Sequence, residues 1–91
     1  MNKAEFIDAI ADQTGKSKKD VNTIVSAALD VIQDTVTEGE KVVLVGFGVF
    51  EQRERQAREG RNPRTGEKME IPAMRVPAFS AGKQFKEKVA S

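Results

Sequence analysis

The sequence predicts an α+β fold, two helices followed by antiparallel strands and a last short helix, on three observations. Apolar residues recur at helical spacing up to Gly39, the period then changes to that of strands, and helical spacing returns only after Ser80. The first helix is expected from about Lys3 to Gln13. Asn2 and Glu5 stand three apart as in a capping box, Phe6, Ile7, Ala9, Ile10 and Ala11 form one stripe, and Thr14-Gly15 supplies the stop. Ser17 with Asp20 opens the second helix, in which Val21, Ile24, Val25, Ala28, Leu29, Ile32 and Val36 repeat at helical spacing. The two pack most simply as a helical hairpin.

Beyond Gly39, Lys41–Val45 and Val49–Arg55 read as two strands joined by the glycine-rich Gly46-Phe47-Gly48. The second strand continues through an almost wholly charged stretch to Arg61, breaks at Asn62-Pro63 and Thr65-Gly66, and returns through Lys68–Ile71 to Arg75-Val76. A ribbon with so few apolar residues has nothing to pack on a core and should project as a two-stranded arm. Ser80 is placed to cap the last helix, where Phe85 and Val89 form an i, i+4 pair.

Composition narrows the function. The 91 residues contain no Cys and no His, so a disulfide framework, a zinc site of the usual kind, a nucleophilic cysteine and a histidine base are not expected. No metal, cofactor, catalytic residue or small-molecule substrate is expected. The longest apolar run, Val42–Val45, is far short of the roughly 18 residues of a membrane span, and the N-terminus lacks a signal-peptide pattern. A cytoplasmic protein without a membrane partner is the expectation. Only 38% of the residues are apolar, and a chain of this length buries roughly 60–65% of its unfolded surface, so association with another chain would thicken a thin core.

Charge is sorted along the chain. Residues 1–45 carry five cations against eight anions, net −3, and residues 46–91 carry ten against six, net +4. All six arginines, Arg53, Arg55, Arg58, Arg61, Arg64 and Arg75, fall in the second half. A charge-rich segment is often just a solvated face, but this separation of Arg from Lys points to an anionic partner. Arg53 and Arg55 alternate on a ribbon whose width suits a nucleic-acid groove, and Arg58, Arg61 and Arg64 bracket the turn at Asn62-Pro63. Pro63 either shapes that turn or presents a rigid apolar ring to a base step. Met69 and Ile71 face a similar choice between packing on the arm and touching a groove. The arm has no aromatic residue on which single-stranded bases could stack.

The stretch GFGVFEQRERQAREGRNPRT, from Gly46 to Thr65, resembles the signature of the HU/IHF family of bacterial histone-like DNA-binding proteins. The opening Met-Asn-Lys-x-Glu and the late RVPAFSAGKQFKEKV, from Arg75 to Val89, are similar to that family as well. The resemblance covers essentially the whole chain. It implies an intertwined dimer, most simply a homodimer, with residues 1–39 as a helical dimerisation base and 40–52 with 75–80 as a three-stranded antiparallel saddle. Residues 53–74 would form a protruding DNA-binding β-arm and 81–91 a C-terminal helix.

Further implications concern the site. Pro63 would be the DNA-intercalating wedge, with Arg61, Asn62, Arg64 and Thr65 beside it. Arg53, Arg55, Arg58, Lys68 and Arg75 would line the arm and saddle, and Met69 and Ile71 would lie near the DNA. Lys3, Lys83 and Lys86 would reach phosphates from the body. Gly46 and Gly48 would allow a tight turn close to the backbone of the duplex, and Phe47, Phe50 and Phe79 would build the dimer core. The implied function is architectural and non-enzymatic: minor-groove binding of double-stranded DNA with little sequence preference, favouring bent, nicked or gapped forms, with bending and compaction in the nucleoid. Two alternatives remain, a sequence-preferring IHF-like bender and an RNA-binding or ribosome-associated module. An arm docking on an acidic protein surface is a more distant reading.

Overall fold

The computed structural model describes all residues from Met1 to Ser91, and they fall into two units, residues 1–34 and 35–91. The first contains α1 (Lys3–Thr14) and most of α2 (Lys18–Thr37). Asn2 caps α1 as expected, its side-chain oxygen accepting the Glu5 N–H at 2.9 Å, and Gly15 ends it at φ 72°. Ser17 Oγ likewise accepts the Asp20 N–H at 3.1 Å at the start of α2. Ile7, Ala11 and Val21 are buried with Ile10 and Val25 packed against them, and Lys18 pairs with Asp8 at 3.3 Å. Beyond this small cluster the apolar stripes stay open: Phe6, Ile24, Leu29 and Val31 are all exposed.

α2 ends in a Schellman arrangement, with Gly39 N–H donating to the Val36 carbonyl and Glu40 N–H to that of Thr35, and with Gly39 at φ 90°. The second unit then builds an antiparallel sheet in the order β1 (Val42–Leu44), β2 (Gly48–Arg55), β5 (Met74–Ala81). Leu44 pairs with Gly48 across a three-residue turn in which Gly46 takes φ 81°. A separate two-stranded sheet joins β3 (Arg58–Arg61) to β4 (Lys68–Ile71), and α3 (Lys83–Ala90) closes the chain.

Three details depart from the sequence expectation. The charged second strand is interrupted at Gln56-Ala57, and the return strand at Pro72-Ala73. The two ladders nevertheless share one register, Arg55↔Met74 continuing three residues further as Arg58↔Ile71. In that register Pro72 falls opposite Ala57, and its missing N–H removes a rung of the ladder. As a second departure, the saddle sheet extends through Arg53–Arg55 and Met74, residues assigned to the arm. Third, Ser80 caps nothing: it belongs to β5, and Gly82 occupies the N-cap without a side-chain bond. A Cβ on Gly82 would lie 3.3 Å from the Phe47 carbonyl, whose oxygen accepts the Gly82 N–H. Phenylalanines gather on this second unit. Phe47, Phe50, Phe79 and Phe85 cluster, with ring centroids 4.8 Å apart for Phe50–Phe79 and 5.3 Å for Phe47–Phe85, but Phe47 and Phe79 remain 46% and 41% exposed.

Candidate nucleic-acid interface

Alternation along β2 and β5 sorts the residues onto two faces. Phe50, Gln52 and Glu54 share one with Phe79, Pro77 and Arg75, the face of the phenylalanine cluster. Val49, Glu51, Arg53 and Arg55 share the other with Ser80, Ala78, Val76 and Met74. That second face carries two of the expected arginines, whereas Arg75 falls on the opposite one. Arg53 is tethered: its Nε donates to Glu51 Oε1 at 3.0 Å and its terminal nitrogen to Ser80 Oγ at 2.9 Å. Lys41, opposite Glu51 just before β1, reaches the other carboxylate oxygen at 3.5 Å. The Arg53 hydrogen bond, reinforced by Lys41, holds the Glu51 carboxyl below the usual carboxylate range. Lys41, Glu51 and Ser80 are members of this face that the sequence reading missed. The readable signal was the i, i+2 spacing of Glu51 and Arg53 on one strand.

Between the two sheets Arg55 and Arg58 flank a cleft of about 510 Å³, lined also by Ile71, Pro72, Met74 and Val76. On the arm, Arg61 pairs with Lys68 and Glu59 with Glu70 on one face, while Arg58 and Gly60 share the other with Ile71 and Met69. Ile71 lies over Gly60, where a Cβ would come within 3.0 Å of its terminal carbon, and Met69 is 49% exposed.

The arm tip is a built turn. Asn62 N–H donates to the Glu67 carbonyl at 2.9 Å, Gly66 N–H to that of Asn62 at 2.8 Å, and Arg64 N–H to Asn62 Oδ1 at 2.9 Å. Thr65 Oγ1 accepts the Glu67 N–H, and Gly66 takes φ 71°. The side chains of Asn62 and Thr65 thus shape the turn, leaving Pro63 and Arg64 exposed on it with Arg61 alongside. Gly46 provides the positive φ of the sheet turn. Gly48 is needed for another reason: a Cβ there would sit 2.5 Å from the Ser80 carbonyl oxygen and 2.6 Å from the Phe79 ring.

The remaining cations lie elsewhere. Lys83 and Lys86 are exposed on α3, Lys83 within 3.9 Å of Glu87. Lys3 belongs to the helical unit, where its Nζ donates to Ser26 Oγ at 2.9 Å.

An exposed proline thus stands at the tip of a basic ribbon, below which the sheet presents further arginines. A family model described as bacterial DNA-binding protein matches residues 1–90. The chain belongs to the HU family of bacterial DNA-binding proteins. It is 62% identical over 90 residues to the DNA-binding protein HU of a Nostoc species, covering 99% of this chain and 96% of that one. Identity to HU of Geobacillus stearothermophilus is 56%, over 98% of this chain and 99% of that protein. Among solved structures, an HU–DNA cocrystal structure from Anabaena matches with a TM-score of 0.95 at 62% identity, covering 99% of this chain and 98% of that one. HU from Thermotoga maritima matches at 0.71 and 38% identity, over 98% of both chains. The HU family fold of two N-terminal helices, antiparallel strands and a C-terminal helix is therefore the fold of this chain. No helix in it is long and apolar enough to cross a membrane.

Proposed function

We propose that this chain is an architectural, non-enzymatic DNA-binding protein of the bacterial nucleoid, acting as a homodimer that bends double-stranded DNA from the minor-groove side with little sequence preference. The observation that carries the reading is the exposed Pro63 at the ribbon tip beside Arg61 and Arg64, in a backbone matching one crystallised with DNA. Architectural proteins of this family serve as the general example of apolar wedges that unstack a base step and kink the duplex. Arg61, Arg64 and Lys68 would engage phosphates along the groove, with Arg55, Arg58, Met69 and Ile71 following the duplex toward the sheet. Asn62 and Thr65 act by holding the turn that presents Pro63. Lys3, Lys83, Lys86 and Arg75 would add phosphate contacts from the body.

A second copy of the chain accounts for the open apolar surface. The accessible area is 7829 Å², against roughly 5,200 Å² expected of a folded monomer of this mass. The half-exposed Phe47 and Phe79 and the open stripes of α1 and α2 supply the surface that a partner would cover. Affinity on this reading comes chiefly from counterion release, and preference from DNA that is already kinked or easily kinked.

Gel-shift titration of intact, nicked and gapped DNA duplexes of unrelated sequence, with a duplex RNA alongside, at two salt concentrations, tests the proposal. Tighter, salt-weakened and sequence-indifferent binding of the nicked and gapped forms is expected. One strongly preferred intact sequence would indicate a site-selective bender, and a preference for duplex RNA a ribosomal or RNA-binding role. Absence of binding at low salt would overturn the proposal.

A further inference from the structure

The anionic Glu51 sits in the middle of the sheet face that carries Arg53 and Arg55, an odd place for a carboxylate on a surface meant for phosphates. Its surroundings are built rather than incidental. Its side chain is 20% exposed, both carboxylate oxygens are engaged, and the two cations come from different segments, Lys41 from the neighbouring one and Arg53 from two residues along its own strand. Ser80 on β5 fixes the far end of the guanidinium at 2.9 Å. Ala78, the residue between Val76 and Ser80 on that face, adds no bulk there.

We propose that Glu51 is an intramolecular stand-in for phosphate, a latch that holds Lys41 and Arg53 on the sheet and withholds them from DNA. The inference rests on the DNA-binding reading above. The carboxylate offers the Arg53 Nε–H an anionic, charge-assisted acceptor, as a phosphate oxygen would, so a phosphate approaching this face competes with an existing partner for that donor. The latched cluster carries one net positive charge in place of two. Glu51 thereby caps how much of the sheet's charge contributes to counterion release. It sets affinity and salt dependence while touching no DNA itself.

The test measures DNA binding by fluorescence anisotropy across a salt series for the full-length protein and three variants. Glu51→Gln keeps the shape and removes the charge that holds the two cations. Each phosphate newly engaged steepens the slope of log K against log salt by about 0.9, so the affinity advantage over wild type should grow about 3.5-fold per phosphate on going from about 200 to 50 mM salt. Glu51→Asp keeps the net charge while drawing the carboxylate back by one methylene. It should steepen the slope less, in the same direction. Glu54→Gln removes the same charge from the opposite face of the same strand and should leave the slope as in wild type.

An unchanged or shallower slope for both Glu51 variants, with wild type binding DNA in a salt-dependent way, overturns the latch and leaves the DNA-binding reading standing. An equal change in Glu54→Gln overturns it too, since net charge alone would then explain the effect. Should Glu51→Gln fail to fold, the charge-neutral Glu51→Asp comparison decides alone. Failure of wild type to bind DNA at low salt would be the separate failure of the function proposed above.

Discussion

Pro63 and Arg61 neighbour one another on the arm and yet do different work on the proposed reading. Replacing Pro63 by Ala removes the rigid ring but none of the charge, so association and most phosphate contact should persist while the bend angle falls; circular-permutation gel shifts or energy transfer between labelled duplex ends would measure it. An unchanged angle would reject the wedge. Arg61→Ala should lower affinity and flatten the salt slope by about 0.9 per arm. Gly48 poses a stability question. The Cβ of Gly48→Ala would lie 2.5 Å from a backbone carbonyl that belongs to the ladder, so the strand pair must shift, at a cost of about 1–3 kcal/mol readable by urea unfolding. Glu51 adds a pH dependence. Its folded pKa lies below its unfolded value near 4.5, so its contribution to stability is fully present above that value and is lost as pH falls through the folded pKa. Unfolding followed between pH 6 and 3 should show wild type losing more stability than Glu51→Gln.

Among the elements, helices were the most legible. Asn2, Ser17 and Gly39 announce their caps because capping is a local exchange between a side chain or a glycine and the nearest backbone groups, and all three act as read. Ser80 carries the same local signal and was misread, because strand pairing with Val49 claimed its backbone and Arg53 claimed its hydroxyl. The limits of the sheet were equally hidden. Glu51–Arg61 is charged at most positions, and nothing local says that pairing runs cleanly to Arg55, skips two rungs and resumes at Arg58. That answer depends on which residues face each other, above all on Pro72 standing opposite Ala57. The cluster of Lys41, Glu51, Arg53 and Ser80 was invisible for a like reason, since it draws on three strand segments brought together only by register. The tip residues Asn62–Gly66, by contrast, close among themselves, and the turn was readable from composition alone.

For the whole molecule, the thinness of the core decides what can be stable alone. Only Ile7, Ala11, Val21 and Val36 are buried hydrophobics, while the phenylalanine cluster remains partly open. If a second copy covers it, unfolding and dissociation are one event, and the thermal midpoint should rise with protein concentration. Calorimetry at a low and a twentyfold higher concentration would show this, and coincident midpoints would count against the dimer. Sedimentation equilibrium would then give the stoichiometry directly. The same association would place two arms on one particle, which a single ribbon cannot substitute for when a duplex must be held on both sides of a bend.

The pause between the two ladders, at Gln56-Ala57 and Pro72-Ala73, has a consequence for the protein's lifetime. Beyond it lies a pair of four-residue strands with no core behind them, joined through a tip where Arg61 and Arg64 stand exposed. Such a ribbon is marginal by itself, and it carries the residues that an arginine-directed protease recognises. Free protein should therefore be nicked first within residues 58–68, while a duplex lying along the arm would shelter those bonds. Digestion in the presence and absence of DNA would thus reveal the occupied fraction, and turnover in a cell would fall hardest on copies that have no DNA to hold.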